Sequence, residues 1–428
     1  MRSEFSEERM GIYLCMAGEN QITNWVPLLH LGVERFDEVW LVVGLRDRSG
    51  TPEDRERAER PAKAFETLLA ERFGPAKAPR VERIVTDADS AAETFDRVYE
   101  KCEGGDLCIT ANFTQGTRAM IFGVLPALQK AEKDGNVQLR GLLYTDDPAR
   151  LLWIHPVVEQ HAEPVRPELR VTLEDFLGLR GISEAYAERR AAGEGRALAR
   201  AGATETLFQY LTGDRADDPH ANERIRTLHG TVQQWRNRED ELGEDELFVA
   251  RTALTNGQID LLEAILRKGA GAGLLRQDDG GSGYWFRGQE AVRYFGGGWF
   301  EEYLFARARE RLAERAELRL GVHLRERAPG GADGELDLVV WRSPQAYIVE
   351  CKAGLVGPNG VWRRDVRTLA NWQHVALGPR GRVALVCAQT PNDATDRFNL
   401  EREAAMSRVP IFFGWEGVNG FLRWLDGL

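Results

Sequence analysis

Cysteine, lysine and long apolar runs are the scarce features of this 428-residue chain. Its five cysteines, Cys15, Cys102, Cys108, Cys351 and Cys387, form no Cys-x-x-Cys pair and are odd in number. That argues against both a disulfide framework and a cysteine zinc site. Cys15, Cys108 and Cys387 fall in apolar runs and read as small core residues. No apolar run approaches the ~18 residues that would span a bilayer, so no membrane partner is expected. The first ten residues, MRSEFSEERM, are charged and lack the apolar core of a secretion signal, which makes a cytoplasmic location the expectation. An excess of positive charge is missing too. The balance of 56 basic against 67 acidic residues is −11, which excludes a surface coated by a nucleic-acid footprint but permits local basic patches. Only 7 of those 56 basic residues are lysine, so each lysine stands out. What is present is ordinary for a globular protein, 43% hydrophobic and 29% charged residues, in a length that suits about three domains.

The pattern predicts an α/β fold. In residues 1–155, apolar runs at 11–17, 39–45, 81–85, 106–113 and 139–145 alternate with helix-compatible segments at 20–35, 52–73, 90–103 and 117–133. Strands separated by helices imply βαβ units and a mainly parallel sheet. No Gly-x-Gly-x-x-Gly follows the first strand, so the dinucleotide fingerprint is absent. Residues 156–290 read as polar helix with a possible capping box at Thr172 and Asp175 and a glycine-turn hairpin in LLRQDDGGSGYWFR (274–287). Together with a helix at 256–268 this is either a winged-helix remnant or a helical connector. Residues 291–428 form a second α/β unit. A helix begins near Trp299, and strands follow at 335–341, 346–352 and 382–388, with another possible at 409–415.

The strongest chemical signal lies on the hairpin of that last unit. Glu350 and Lys352 are two apart in a strand, which puts both side chains on one face. The connecting loop RSPQ is centred between Ser343 and Pro344. A hairpin symmetric about that point sets Asp337 opposite Glu350, with Cβ atoms roughly 5 Å apart. Two carboxylates so placed repel, and a hard Mg²⁺ or Mn²⁺ ion between them removes the objection. The same register sets Glu335 opposite Lys352, so a plain cross-strand ion pair is the rival account. Residues 269–428, however, carry 20 arginines and one lysine, and that lysine is Lys352. Arginine would serve an ion pair equally well. A compact ammonium that can act on a water is where the two residues differ. Downstream, Arg363, Arg364, Arg367, Arg380 and Arg382 face one acid, Asp365, with Trp362 and Trp372 interleaved. Such a stretch suits phosphate tracking and base stacking, or is a solvated helix face with core tryptophans.

This arrangement resembles the PD-(D/E)xK nuclease core, in which a helical Glu precedes an Asp on one strand and Glu-x-Lys on the next. The resemblance implies Glu301 as the helical acid, with Glu302 its rival. It implies Asp337, Glu350 and the main-chain carbonyl of Cys351 as metal ligands, and Lys352 as the residue that orients or activates water.

In a doubly wound sheet, ligands bind beyond the carboxyl ends of the strands. Two such ends are polar here: Ala17, Gly18, Glu19, Asn20 and Gln21, and then Asn112, Thr114, Gln115, Gly116, Thr117 and Arg118. Amides, hydroxyls and a glycine at a helix start suit phosphate and base recognition, while Thr114 or Thr117 as a simple cap is the competing account. The run NFTQGTRAM resembles the Asn-Thr-Gly-Thr-Lys turn of CARF domains, the CRISPR-associated Rossmann-like sensors of cyclic oligoadenylates. Here Gln115 stands where glycine is frequent and Arg118 where lysine is. The whole chain resembles CRISPR ancillary nucleases that join one CARF domain to one PD-(D/E)xK domain. That resemblance implies a homodimer, cyclic tetra-adenylate as activator, and DNA or RNA as substrate. The competing functions are a CARF-domain transcriptional regulator without nuclease activity and a restriction-like nuclease that needs no cyclic nucleotide.

Overall fold

The computed structural model describes residues 11–45, 51–147, 150–155, 161–164, 171–213, 218, 220–236, 246–326, 333–343, 345–354, 361–373, 381–391 and 393–427. The chain divides into two compact units, one of residues 1–183 with 326–332 and one of residues 184–325 with 333–428. The stretch 156–290 is thus shared between them. No helix among the described residues is long and apolar enough to cross a membrane.

The first unit contains β1 (Gly11–Met16), α1 (Ile22–Leu31), β2 (Phe36–Leu45), α2 (Pro52–Phe73), β3 (Arg80–Asp87), α3 (Ala91–Cys102), β4 (Leu107–Asn112), α4 (Arg118–Lys133) and β5 (Val137–Asp147). It ends with β6 (Arg150–His155), β7 (His161–Pro164) and α5 (Leu173–Gly178). The seven-stranded sheet runs β3-β2-β1-β4-β5-β6-β7. Its first five strands are parallel, as the alternation predicts. Continuous apolar runs mark strands covered on both faces, and Tyr13, Leu14, Cys15 and Met16 of β1 are fully buried. The antiparallel additions β6 and β7 were not anticipated. The expected capping box forms: Thr172 accepts from the Asp175 N–H at 3.1 Å and Asp175 accepts from the Thr172 N–H at 3.0 Å.

The second unit opens with β8 (Ile182–Ala185), α6 (Ala187–Ala199), α7 (Ala201–Thr212), α8 (Ala221–Arg236), β9 (Leu247–Ala250) and α9 (Asn256–Arg267). The predicted hairpin follows as β10 (Leu275–Gln277) and β11 (Gly283–Phe286), which with β9 make a three-stranded sheet. Then come α10 (Gly288–Arg293), α11 (Trp299–Leu312), β12 (Glu317–Glu326), β13 (Asp333–Arg342), β14 (Gln345–Lys352), α12 (Val361–Trp372), β15 (Arg382–Cys387), α13 (Ala394–Ser407), β16 (Ile411–Phe413) and α14 (Gly414–Asp426). The six-stranded sheet runs β16-β15-β14-β13-β12-β8, antiparallel through β12, β13 and β14 and parallel from β14 to β16. Leu207, Phe208, Leu228, Val232, Leu262 and Tyr284 share one core with Trp299, Phe300, Leu338 and Val349. Residues from 184 to 290 therefore pack into the same core as the hairpin.

Strand β12 was missed in the sequence because its composition continues that of the preceding helix. Its period-two signal was nevertheless there, in Leu318, Leu320, Val322 and Leu324. The helix stops before it, where Ala313 takes a positive φ of 45°. Between α10 and α11, Gly297 adopts φ 149°, a conformation closed to residues with a Cβ. That kink sets α11 on its own axis and places Glu301 in its first turn.

Helices α3 and α4 approach closely at Gly123. A Cβ there would stand 2.5 Å from Thr94 Cβ and 2.6 Å from the Ala91 carbonyl oxygen. Gly123→Val should therefore destabilise the protein by about 1–3 kcal/mol of overpacking. The expected result is a lower urea midpoint with an unchanged slope.

Candidate functional site

The β13–β14 register pairs Leu338 with Val349 and Arg342 with Gln345, the register that the turn's centre predicts. Leu338, Val340, Val349 and Cys351 face the core, and alternation gives Asp337, Glu350 and Lys352 the opposite parity. Asp337 Oδ2 accepts the Cys351 N–H at 2.7 Å. Lys352 Nζ donates to Glu350 Oε1 at 2.5 Å, the two side chains being 31% and 21% exposed. The cross-strand ion pair between Lys352 and Glu335 does not form. Glu335 faces His323 of β12 instead, at 3.5 Å.

The structure separates the two helical acids. Glu302 is buried and clamped by Arg200, whose Nε donates to Glu302 Oε2 at 2.6 Å and whose Nη2 donates to Oε1. Arg200 Nη1 also donates to Glu290 at 2.7 Å. Glu301, one residue earlier, lines a cavity of about 430 Å³ together with Glu335 and residues of α6, α10 and β12. Its charge acts on Asp337. Burial, then the charges of Glu335 and Glu350, push the Glu301 carboxyl up to about 7. Burial, then Glu301 and Glu350, hold Asp337 well above the carboxylate range, against the pull of the Cys351 N–H. Burial disfavours the Lys352 ammonium, but the charge and hydrogen bond of Glu350 outweigh it and raise its pKa. Lys352 is thus a firmly protonated donor.

Among the described residues, no three His, Cys, Asp or Glu side chains form a ready-made metal cage. The donor set nevertheless suits a hard cation that keeps some waters and borrows phosphate oxygens, since such an ion needs only one or two carboxylates. Acids that repel one another in a buried site gain most from that countercharge.

The predicted basic track is only partly visible. Arg363 and Arg364 lie in α12, and their side chains, like Trp362 and all of Arg380, are outside the described residues. Arg367 is exposed and paired with Glu403 at 2.9 Å. Trp372 packs over β13, where a Cβ on Gly334 would stand 2.4 Å from its ring.

In the first unit, the two polar strand ends meet. A Cβ on Gly18 would stand 2.6 Å from Gln115 Oε1, and one on Gly116 would stand 2.9 Å from Met16 Cβ. Gly116 needs its φ of 97° as well. Asn112, fully buried, is the hub. Its Nδ2 donates to Tyr13 Oη at 3.0 Å and the Thr23 carbonyl at 2.8 Å, and its Oδ1 accepts from Thr114 Oγ1 at 2.6 Å. Gln115 Nε2 donates to Thr23 Oγ1 at 2.9 Å. Gln21, also buried, donates to the Gly18 carbonyl at 2.9 Å and accepts from Asn24 at 2.8 Å. Thr117 is the N-cap of α4, accepting the Met120 N–H at 3.2 Å. Ala17 and Asn20 are half-buried, while Glu19, Gly116 and Arg118 are exposed. The end divides accordingly into an inner frame, Asn112, Gln21 and Thr117, and an outer rim, Glu19, Gln115, Gly116 and Arg118. Sequence reasoning missed Tyr13, Thr23 and Asn24 in the frame, and Arg200 in the second unit. The signal for the cavity wall, unused in the sequence reading, is the one-face helical spacing of Arg189 and Arg196, with Arg200 following at the C-cap of α6.

Both raised carboxyls hold their protons more tightly in the folded state than in the unfolded chain, where carboxyls titrate near 4. Without a divalent cation, their contribution to stability is therefore full below about pH 4 and is lost as pH rises, for Glu301 through about 7. In EDTA, Asp337→Asn should raise the thermal midpoint relative to the natural protein, and more at pH 8 than at pH 5. An unchanged or lower midpoint at pH 8 would mean that the acids are not in conflict.

Residues 288–403 match the family described as the Card1-like endonuclease domain. No curated protein matches the sequence. Among solved structures, the fold is similar to that of protein VC1899 from Vibrio cholerae, with TM-score 0.68, 15% identity, and 97% of this chain and 98% of that one covered. It is also similar to Can2 from Sulfobacillus thermosulfidooxidans, solved in complex with cyclic tetra-adenylate, with TM-score 0.65, 16% identity, and again 97% and 98% coverage. At these identities the likeness is one of fold. Residues 288–403 are thus a Card1-like endonuclease domain, in a chain whose fold is similar to those of VC1899 and Can2.

Proposed function

We propose that this protein is a metal-dependent endonuclease of type III CRISPR defence, cleaving DNA, RNA or both with little sequence preference, and switched on by a cyclic oligoadenylate. The observation that carries this reading is that Glu301, Asp337, Glu350 and Lys352 share one partly buried site inside the segment that matches an endonuclease domain. Asp337, Glu350 and the carbonyl of Cys351 are the groups that would hold Mg²⁺ or Mn²⁺, which when bound lowers the pKa of water and neutralises charge on the scissile phosphate. Lys352, tied to Glu350, donates hydrogen bonds to the attacking water or to a phosphate oxygen and does not act as a base. Glu301, on α11 and close enough to feel the charge of Glu350 and to act on Asp337, orients the water, while Arg200 holds that helical turn through Glu302.

The activator is assigned to the carboxyl ends of β1 and β4. Arg118 is an exposed cation at the start of α4, beside Gly116 and Gln115, and such a helix start favours anionic groups. The complex of the similarly folded Can2 with cyclic tetra-adenylate supports that ring size. The resemblance to CARF proteins supports a cytoplasmic homodimer, with one ligand spanning both copies. Activation requires that the ligand bind the active arrangement better than the inactive one, by ~10⁴-fold to move a mostly-off population to mostly-on.

Lys352→Ala or Glu350→Ala should abolish cleavage of plasmid and labelled RNA while leaving cyclic oligoadenylate binding intact. EDTA should do the same, with Mn²⁺ or Mg²⁺ restoring activity. Cleavage that survives Lys352→Ala rejects the nuclease site, and cleavage that needs no cyclic nucleotide rejects the switch. Arg118→Ala removes no hydrogen bond of the described structure, and it should shift the activator titration to higher concentration.

A further inference from the structure

The cavity that exposes Glu301 is walled by arginines. Helix α6 presents Arg189, Gly193 and Arg196 to it, and it is lined further by Arg200, the C-cap of α6, and by Arg287, the N-cap of α10. The spacings of four and three residues put the α6 set on one face. Not all of these cations are available. Arg200 is committed to Glu302 and Glu290, and Arg190, also at this wall, to Glu184 and Glu194. The guanidiniums of Arg189 and Arg287 make no hydrogen bond or ion pair among the described residues, and the exposed Arg196 has only Glu290, at 3.2 Å.

Gly193 is the second observation. A glycine in a helix interior weakens the helix and is retained where something must come close. Nothing among the described residues does so here: the nearest atom to a Cβ at position 193 would be Arg196 Nη2, 3.9 Å away. That Cβ would project toward the cavity, between the two exposed arginines. Arg189 and Arg196 are seven residues apart, about 10 Å along the axis, so one extended strand laid across the helix meets both.

We propose that this cleft seats the sugar-phosphate backbone of the nucleic-acid substrate, with Arg189, Arg196 and Arg287 contacting phosphates and Gly193 marking the closest approach to α6. The inference rests on the nuclease reading of the site below, and it places the strand on α6 where the sequence pointed to α12. The contacts are to phosphate, so they supply affinity and register without sequence preference.

The test is binding of labelled single-stranded DNA and RNA 20-mers to the full-length protein. Anisotropy would be measured in EDTA, with cyclic tetra-adenylate present, from 50 to 200 mM salt. The double variant Arg189→Ala/Arg287→Ala should bind more weakly, and its plot of log affinity against log salt should be shallower by about 1.4, two contacts at ~0.7 each on single strands. Gly193→Leu should lower affinity about tenfold with the circular dichroism spectrum unchanged. An unchanged slope in the double variant, no strand binding by the natural protein, or a slope lowered by Arg367→Ala instead overturns the proposal. Failure of the nuclease reading shows separately, as cleavage that survives EDTA or Lys352→Ala.

Discussion

Electrostatic conflict in a confined space governs the second unit. Glu301, Asp337 and Glu350 are brought together by burial and by strand register, Glu350 making ionisation of both others harder and Glu301 that of Asp337. The folded chain tolerates this by giving Asp337 a backbone N–H, by giving Glu350 the only lysine of residues 269–428, and by leaving Glu301 half-buried against the cavity. A structural cluster would cancel its charges internally. This one sets three carboxyl groups against a single ammonium, a donor set that suits a cation and a phosphate arriving together.

Around that centre the arginines divide into two kinds. Arg190 and Arg200 are spent on the protein's own carboxylates, and they fix α6 and the first turn of α11. Arg200 also separates two adjacent glutamates: the one it clamps is buried, and the other is left to the cavity. The kink at Gly297 completes the device, since a continuous helix from α10 would carry Glu301 on a different face. Exposed arginines then remain at the rim, where contact with a polyanion depends strongly on salt.

The polar end of the first unit follows a similar division of labour. Asn112 ties β4 to β1, to α1 and to the turn before α4. A buried, fully bonded amide of this kind rigidifies its surroundings. It holds Gly116 and Arg118 at the surface without itself being accessible. The motif that resembles a ligand turn is therefore partly a frame, and Thr117 serves as the cap that a plain reading of the sequence also expects.

Much was legible in the chain itself. Apolar runs and helical patterns placed β1 to β5 of the first sheet and β13 to β16 of the second, because burial imposes those patterns, and left out β6, β7, β8 and β12. The symmetry of the RSPQ turn gave the β13–β14 register, because a one-residue slip would turn every core side chain outward. The solitary lysine at Glu-x-Lys marked the candidate site by composition alone. Other features could not be read locally. That Glu302 is buried in an ion pair while Glu301 reaches the cavity is set by Arg200, some hundred residues away in sequence. The fate of Glu335 was decided by His323 on a strand that the sequence reading overlooked. The arginine wall exists only because α6 and the segment around Arg287 fold against α11. Local pattern fixes which residues can share a face. Which faces meet, and which charges are left without a partner there, is set by packing between segments distant in the chain.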